Sequence, residues 1–170
     1  MADVITDIHD EIESLIATMT IGGGYNFTWA STSVNPKDWD FAEAIQDGET
    51  LDDIFPVTLI HYGDEVVEMP SMNDFSANGQ TYTNDIDFFL EVHVGASSTN
   101  TADVQINKAV GDLKKLFFNN DCLDGKAFVV LYTGHRRDTS LADAEGCAGR
   151  LVFALKVRYN QDITDPEVLA

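Results

Sequence analysis

Basic residues are scarce in this sequence. Its 170 residues include 10 Lys and Arg against 29 Asp and Glu, which leaves a formal net charge of −19 at pH 7. Neutralising a nucleic-acid backbone requires clustered Lys and Arg, so this composition argues against tight binding of DNA or RNA. Residues 1–107 hold 20 acids and one base, Lys37, whereas residues 108–170 hold nine of each. The asymmetry predicts two differently charged surfaces.

Cysteine and long apolar runs are also scarce. The two cysteines, Cys122 and Cys147, are too few and too far apart for a disulfide scaffold or a zinc site. No apolar run reaches the roughly 18 residues of a membrane-spanning helix. The chain also begins with an acidic stretch, where a signal or transit peptide carries positive charge. We therefore expect no membrane partner and no export, and we expect assembly in the cytoplasm.

The length and composition predict one globular domain. Hydrophobic residues make up 44% of the chain and charged residues 23%, which is ordinary globular usage. A soft prior of ~150 residues per domain gives a single unit. We assign that domain to residues 1–160 and expect residues 161–170, which include Asp165-Pro166, to form a loosely held tail.

Two segments have the apolar spacing of amphipathic helices. The first runs from Val4 to Met19 and is stopped by the glycine triplet Gly22–Gly24. The second runs from Val104 to Phe118, with Asn100 or Thr101 available as its N-cap. A shorter helix or turn is also expected over Trp39–Gln46.

Five segments are typical of strands, because they are rich in β-branched and aromatic residues or alternate apolar with polar positions. They are Tyr25–Val34, Ile54–Tyr62, Thr81–Gly95, Ala127–Thr133 and Arg150–Asn160. The polar positions of the third strand are mainly acidic and those of the last are mainly basic. The order of helices and strands predicts an α+β domain, with an antiparallel or mixed sheet and two main helices packed on one face.

Long exposed loops complete the expected fold. Gly63-Asp64 predicts a turn, and Met69–Gln80 has the Ser, Asn, Pro and Gly content of an exposed loop. The 16-residue stretch Gly134–Gly149 is expected to form a long connection between the last two predicted strands. Loops on a rigid scaffold commonly carry function, so these are the first places to expect partner contacts.

Three acids in the third strand invite a chemical interpretation. Asp85, Asp87 and Glu91 project from one face, so they could hold a divalent cation or serve as an acid–base pair. A solvated polar strand face explains the same spacing, and we favour it. The stretch His135–Asp138 shares letters with a kinase catalytic loop but lacks the accompanying motifs. A basic loop that docks on an acidic partner or a neighbouring subunit is the better interpretation. We expect no catalytic residues, no cofactor and no metal site.

Three motifs together resemble a family. They are the helix pattern Ile5-x-x-Ile8-x-x-x-Ile12-x-x-Leu15-Ile16, the segment Gly24-Tyr25-Asn26-Phe27-Thr28, and the strand Phe55-Pro56-Val57-Thr58-Leu59-Ile60 leading to Gly63-Asp64-Glu65. Three later segments fit the same pattern: the strand Asp85–Val94, the helix Val104–Phe118 and the strand Leu151–Tyr159. Together these features resemble the tail terminator and tail completion proteins of tailed bacteriophages, over nearly the full chain.

The resemblance implies a non-enzymatic virion protein of the tail–neck region. Such a protein forms a ring, expected to be hexameric, that caps the tail tube, ends its elongation and joins the tail to the head–neck connector protein. The expected partners are further copies of itself, the tail tube protein and the connector, while DNA passes through without specific binding. Another neck or head-completion protein, a monomeric acidic binding module and a small metal-dependent enzyme remain as alternatives.

Candidate contact residues follow from the expected loops and from the basic strand. For partner or subunit contacts they are Met69, Met72, Asp74, Phe75, His135, Arg136, Arg137, Asp138, Arg150 and Arg158. For the lumen of the ring they are the acids Asp85, Asp87 and Glu91, because a negative channel would repel the phosphates of a passing genome. A ring forms when one surface of each subunit meets a different surface of the next.

Overall fold

The computed structural model describes residues 4–29, 56–68, 81–95, 101–138 and 148–162. Its main elements are α1 (Val4–Ala17), β1 (Val57–Glu68), β2 (Thr81–Gly95), α2 (Ala102–Asn119), β3 (Val129–Asp138) and β4 (Ala148–Asp162). Short 3₁₀ turns cover Ile21–Gly23 and Leu123–Gly125. Both long helices and four of the five expected strands are thereby confirmed near the expected positions. No helix in these described ranges is long and apolar enough to cross a bilayer.

The four strands form one antiparallel sheet in the order β1-β2-β4-β3. The two longest strands lie at its centre and pair along their whole length, from Thr81 opposite Asp162 to Gly95 opposite Ala148. The helices pack on the sheet. The expected α+β class is confirmed, and the sheet described here is antiparallel rather than mixed.

Alternating side chains of the central strands build the core beneath the helices. Strands β2 and β4 contribute Ile86, Phe88, Leu90, Val92, Val94, Leu151, Phe153, Leu155, Val157 and Tyr159, all 1% exposed or less. The helices meet them with buried residues at three- and four-residue spacing, including Ile8 and Ile12 of α1 and Leu113 and Leu116 of α2. Full burial of one such side chain contributes about 2 kcal/mol to stability. The interface between the helices and the sheet therefore stabilises the domain.

The strand expected over Tyr25–Val34 is wrong in its described part. Residues 25–29 follow an irregular path on α2, and residues 30–34 lie outside the described ranges. The amides of Asn26 and Phe27 donate to the side chain of Asp112, so they are not available to a neighbouring strand. Aromatic residues gave this segment a strand composition, but a long-range hydrogen-bond acceptor determines its path.

The turn expected at Gly63-Asp64 is also wrong. β1 continues through it to Glu68, and the pairing with β2 shifts between Tyr62 and Glu65. This irregularity is a β-bulge, which inserts extra residues into one strand while the ladder continues. A Cβ on Gly63 would lie 3.2 Å from the Phe89 ring, so glycine fits the close approach.

The connection expected over Gly134–Gly149 begins later than the sequence suggested. β3 runs to Asp138, so His135–Asp138 belong to an edge strand and not to a loop. The register shifts between Tyr132 and Gly134, and Gly134 has φ +152°, a conformation that suits glycine. The glycine therefore marks an irregularity inside the strand rather than its end.

Several expectations lie outside the described residues. They are the helix or turn over Trp39–Gln46, the loop Met69–Gln80, most of the remaining connection after Asp138, and the end of the tail. Of the two proposed N-caps, Thr101 occupies that position, although its side chain makes no capping hydrogen bond.

Candidate functional site: the charged face of the sheet

The face of the sheet opposite the core residues carries a ladder of charged side chains. We call it the charged face and define it by Asp85, Asp87 and Glu91 of β2 with Arg150, Lys156 and Arg158 of β4. The antiparallel register aligns acids of one strand with bases of the other, because alternate residues of both strands point to this side.

The first rung joins Asp85 to Arg158. The guanidinium Nε lies 2.7 Å from Oδ1 of the carboxylate and Nη2 lies 2.8 Å from Oδ2, which is a two-point contact. The hydrogen bonds from Arg158 hold the pKa of Asp85 below its usual value. The next rung is weaker, since Lys156 Nζ lies 3.9 Å from Asp87 and both side chains are about two-fifths exposed.

At the other end of the face, Glu91 is the centre of a cluster. Its carboxylate lies 2.7 Å from Nη2 of Arg150, 2.9 Å from Nε2 of His93 and 3.8 Å from Nε2 of His61. Burial opposes ionisation of Glu91, but hydrogen bonds from Arg150 and His93 outweigh it and leave its pKa lowered. Burial lowers the pKa of His93, so the neutral ring is favoured there.

The four residues His135–Asp138 are divided between the two faces of β3. Arg136 and Asp138 pair in register with Val152 and Arg150, which places them on the side of the charged face. His135 lies on the other side, where its Nδ1 shares a hydrogen bond with the hydroxyl of Tyr132 and its Nε2 is 3.4 Å from Nε of Arg137. Burial, Arg137 and Lys114 lower the pKa of His135. Both arginines are exposed.

The structure therefore brings together residues to which the sequence gave separate tasks. Arg150 and Arg158, predicted to contact a partner, pair with Glu91 and Asp85, which were predicted to face a lumen. These contacts leave the charged face nearly balanced rather than acidic. The predicted contact residues Met69, Met72, Asp74 and Phe75 lie outside the described ranges.

These pairs also bear on the metal-dependent alternative. A cation held by Asp85, Asp87 and Glu91 would compete with the basic groups of Arg158, Lys156 and Arg150 that already contact the three carboxylates. Within the described ranges, the group with metal-ligand spacing is His9, Asp10 and Glu13 on α1, whose ligand atoms lie within 4.8 Å of one another. It is a solvent-facing acidic group of a common kind, and no site is inferred from it.

One residue that sequence reasoning missed holds the segment 26–29, which follows α1, against α2. Asp112 of α2 is 2% exposed, and its carboxylate accepts hydrogen bonds from the amides of Asn26 and Phe27, the side chain of Asn26 and the indole Nε1 of Trp29, at 2.7 to 3.2 Å. Its signal was present: an acid three residues after Ala109 and four before Leu116 lies on the apolar stripe. A charge at such a position requires partners.

No protein-family model matches the chain, and no curated protein matches it.

Proposed function

We propose that this chain is a structural protein of a tailed bacteriophage, a tail terminator that forms a ring on the end of the tail tube. In that role it ends tube elongation and presents a surface to the head–neck connector protein, in the tail–neck region of the virion. The ring is expected to be hexameric. The resemblance of the three sequence motifs to this family motivates the proposal.

The observation that carries it is a pair of unlike surfaces on one protomer. The two outer strands of the sheet, β1 and β3, are both exposed over part of their length, and they carry opposite charge. Closed rings are built from heterologous contacts, in which one surface meets a different surface of the next copy. A protomer with two complementary edges suits such an assembly.

The passage of DNA is compatible with the charged face. If this face lines the channel, the genome meets paired charges, with Arg150, Lys156 and Arg158 engaged by carboxylates. Phosphate binding depends on cations that release counterions from the nucleic acid. Cations that are already paired would hold a moving genome weakly.

The test is assembly with the tail tube protein encoded in the same genome. The full chain is added to elongating tubes, and their lengths and ends are examined by negative-stain electron microscopy. We expect a ring at one end of each tube and an arrest of elongation at stoichiometric amounts. Tubes that grow at an unchanged rate with bare ends would contradict the proposal. An equal amount of an unrelated acidic protein controls for net charge.

A further inference from the structure

Both edges of the sheet are exposed strands with apolar side chains. In the second half of β1, Tyr62 and Val66 are each 59% exposed and Val67 is 49% exposed. In β3, Leu131 is 51% exposed, and Arg136 and Arg137 are also exposed. Among the described strands, β1 and β3 each pair on one side only, and the outer side of an edge strand presents unpaired backbone N–H and C=O groups. Exposed edges of this length are templates for pairing with another strand.

The two edges differ in charge. The segment Gly63–Glu68 of β1 contains three acids and no base, whereas Gly134–Asp138 of β3 contains two arginines, a histidine and one acid. Two β1 edges brought together would repel each other, and so would two β3 edges. A β1 edge and a β3 edge attract. The charges therefore favour a head-to-tail contact over a two-fold symmetric one.

We propose that β1 of one copy pairs with β3 of the next, with Gly63–Glu68 lying along Gly134–Asp138. This inference rests on the proposed function for the closure of the ring, and it names the surfaces that form the contact. Each neighbouring pair of strands in the sheet is antiparallel. Pairing β3 with the next β1 continues the sheet in the same sense.

The register sets the stagger of this contact. Within one sheet, Arg136 of β3 is opposite Val152 of β4, and Val152 is opposite Glu91 of β2. Glu65 of β1 is opposite Ile86 of β2, which is five residues from Glu91 along that strand. Bringing the acidic segment beside the basic one requires a shift of about five residues, or about 17 Å at ~3.4 Å per residue. Four strands at ~4.8 Å spacing span about 19 Å, so the shift corresponds to a strand tilt of about 40°. Closed barrels tilt their strands by ~35–45°, so the charge match and ring closure require similar geometry.

The test uses two variants that each block one edge. The β1-edge variant carries Asp64→Arg with Val66→Arg, and the β3-edge variant carries Arg136→Glu with Arg137→Glu. All four side chains are exposed, so the fold is expected to persist, which circular dichroism checks. A matched control, Thr6→Arg with Asp10→Arg, makes the same charge change as the first variant on exposed positions of α1. Sedimentation velocity over a range of concentrations gives the mass of each species.

We expect the unchanged chain and the α1 control to self-associate, and each edge variant alone to remain monomeric with its dissociation constant raised at least tenfold. An equimolar mixture of the two variants is expected to form a heterodimer, since each retains the edge that the other has lost.

Three results would overturn the inference. They are an unchanged chain that stays monomeric at every concentration, an edge variant that associates as the unchanged chain does, and a mixture without heterodimers. The tube assay separates these failures from failure of the proposed function. Rings on tubes that survive both edge changes would mean that copies meet through other surfaces, whereas bare, growing tubes would refute the terminator role itself.

Discussion

Several charged side chains in this protein are held in place by partners that lie far away in the sequence. Asp112 binds residues more than 80 positions earlier, and Asp85 binds Arg158 at a separation of 73 residues. Both carboxylates accept several hydrogen bonds, but they differ in their surroundings. Asp112 is buried under the segment 26–29, whereas the Asp85 side chain is 13% exposed and that of its partner Arg158 is 37% exposed. We therefore expect the two sites to differ in energetic weight.

Replacing Asp112 is expected to be strongly destabilising. Asp112→Ala leaves the amides of Asn26 and Phe27 and the indole of Trp29 without their acceptor, so the free energy of unfolding should fall by about 3 kcal/mol. Urea denaturation measures this change, and hydrogen exchange at the two amides should accelerate. Asp103→Ala, an exposed acid in the first turn of the same helix, is the comparison and should cost less than about 1 kcal/mol. Equal losses for the two variants would contradict this account.

The Asp85–Arg158 pair is expected to show measurable coupling. A double-mutant cycle with Asp85→Ala and Arg158→Ala should give about 1 kcal/mol, since the contact is two-point but partly screened by solvent. The same cycle on Asp87 and Lys156, which are 3.9 Å apart and more exposed, should give a value near zero. A larger coupling for the second pair would show that contact geometry does not set the energy here.

At the level of secondary-structure elements, helix α2 and strand β4 approach each other closely at Gly149. A Cβ on Gly149 would lie 2.8 Å from Cδ1 of Ile106 and 3.2 Å from Cβ of Ala102. The first turns of α2 therefore contact the start of β4 with no room for a side chain. This contact fixes where the helix crosses the sheet.

Two glycine substitutions test that constraint with opposite expected signs. Gly149→Ala should lower the free energy of unfolding by about 1–3 kcal/mol, because Ile106 or the helix must shift. Gly111→Ala, at an exposed position of α2 where a Cβ meets nothing within 4 Å, should raise it by about 0.5–1 kcal/mol. Thermal and urea unfolding measure both. Tolerance of Gly149→Ala without loss would mean that the helix is not held there.

The whole molecule is acidic, and its stability should fall in two steps as the pH falls. The pKa of His93 lies below its ordinary value of 6.5, so the unfolded chain takes up this proton first and stability is lost as the pH drops below about 6.5. The pKa values of Asp85 and Glu91 lie below 3.8 and 4.5, so their contribution, present above those values, is lost as the pH falls further.

Urea unfolding at pH 8, 5.5 and 3.5 follows both steps. His93→Gln should reduce the loss between pH 8 and 5.5, and His135→Gln, whose pKa is also lowered but which is less buried, should reduce it less. A wild-type stability that stays constant from pH 8 to 5.5 would contradict the first step. A stability unchanged from 5.5 to 3.5 would contradict the second.

The elements that the sequence predicted well are those whose pattern is local and regular. The alternation in Thr81–Gly95 and the three- and four-residue spacing in both helices report which side of each element is buried. The failures occur at irregular positions. The sequences around Gly63 and Gly134 are typical of turns, but both glycines lie at register shifts inside β1 and β3. Each strand continues to pair with its neighbour after the glycine.

Only part of the candidate site could be predicted from the sequence. The sequence identified the acids of β2 and the bases of β4 as charged strand faces, because side chains alternate with a period of two. It assigned them to different surfaces, since the pairing of β2 with β4 joins residues more than 50 positions apart in the chain. The same limit applies to Asp112, whose position on the apolar stripe was visible but whose partners were not.

Local chemistry in the sequence thus determined the class of fold, the two helices, the central strands and the uneven distribution of the −19 charge. Tertiary structure determined which charges meet. The antiparallel register of β2 with β4 pairs acids with bases across one face, and the strand order leaves an acidic and a basic strand at opposite edges. The physical reason is that charge pairing depends on distances of a few ångströms between segments, which chain folding sets and local sequence does not.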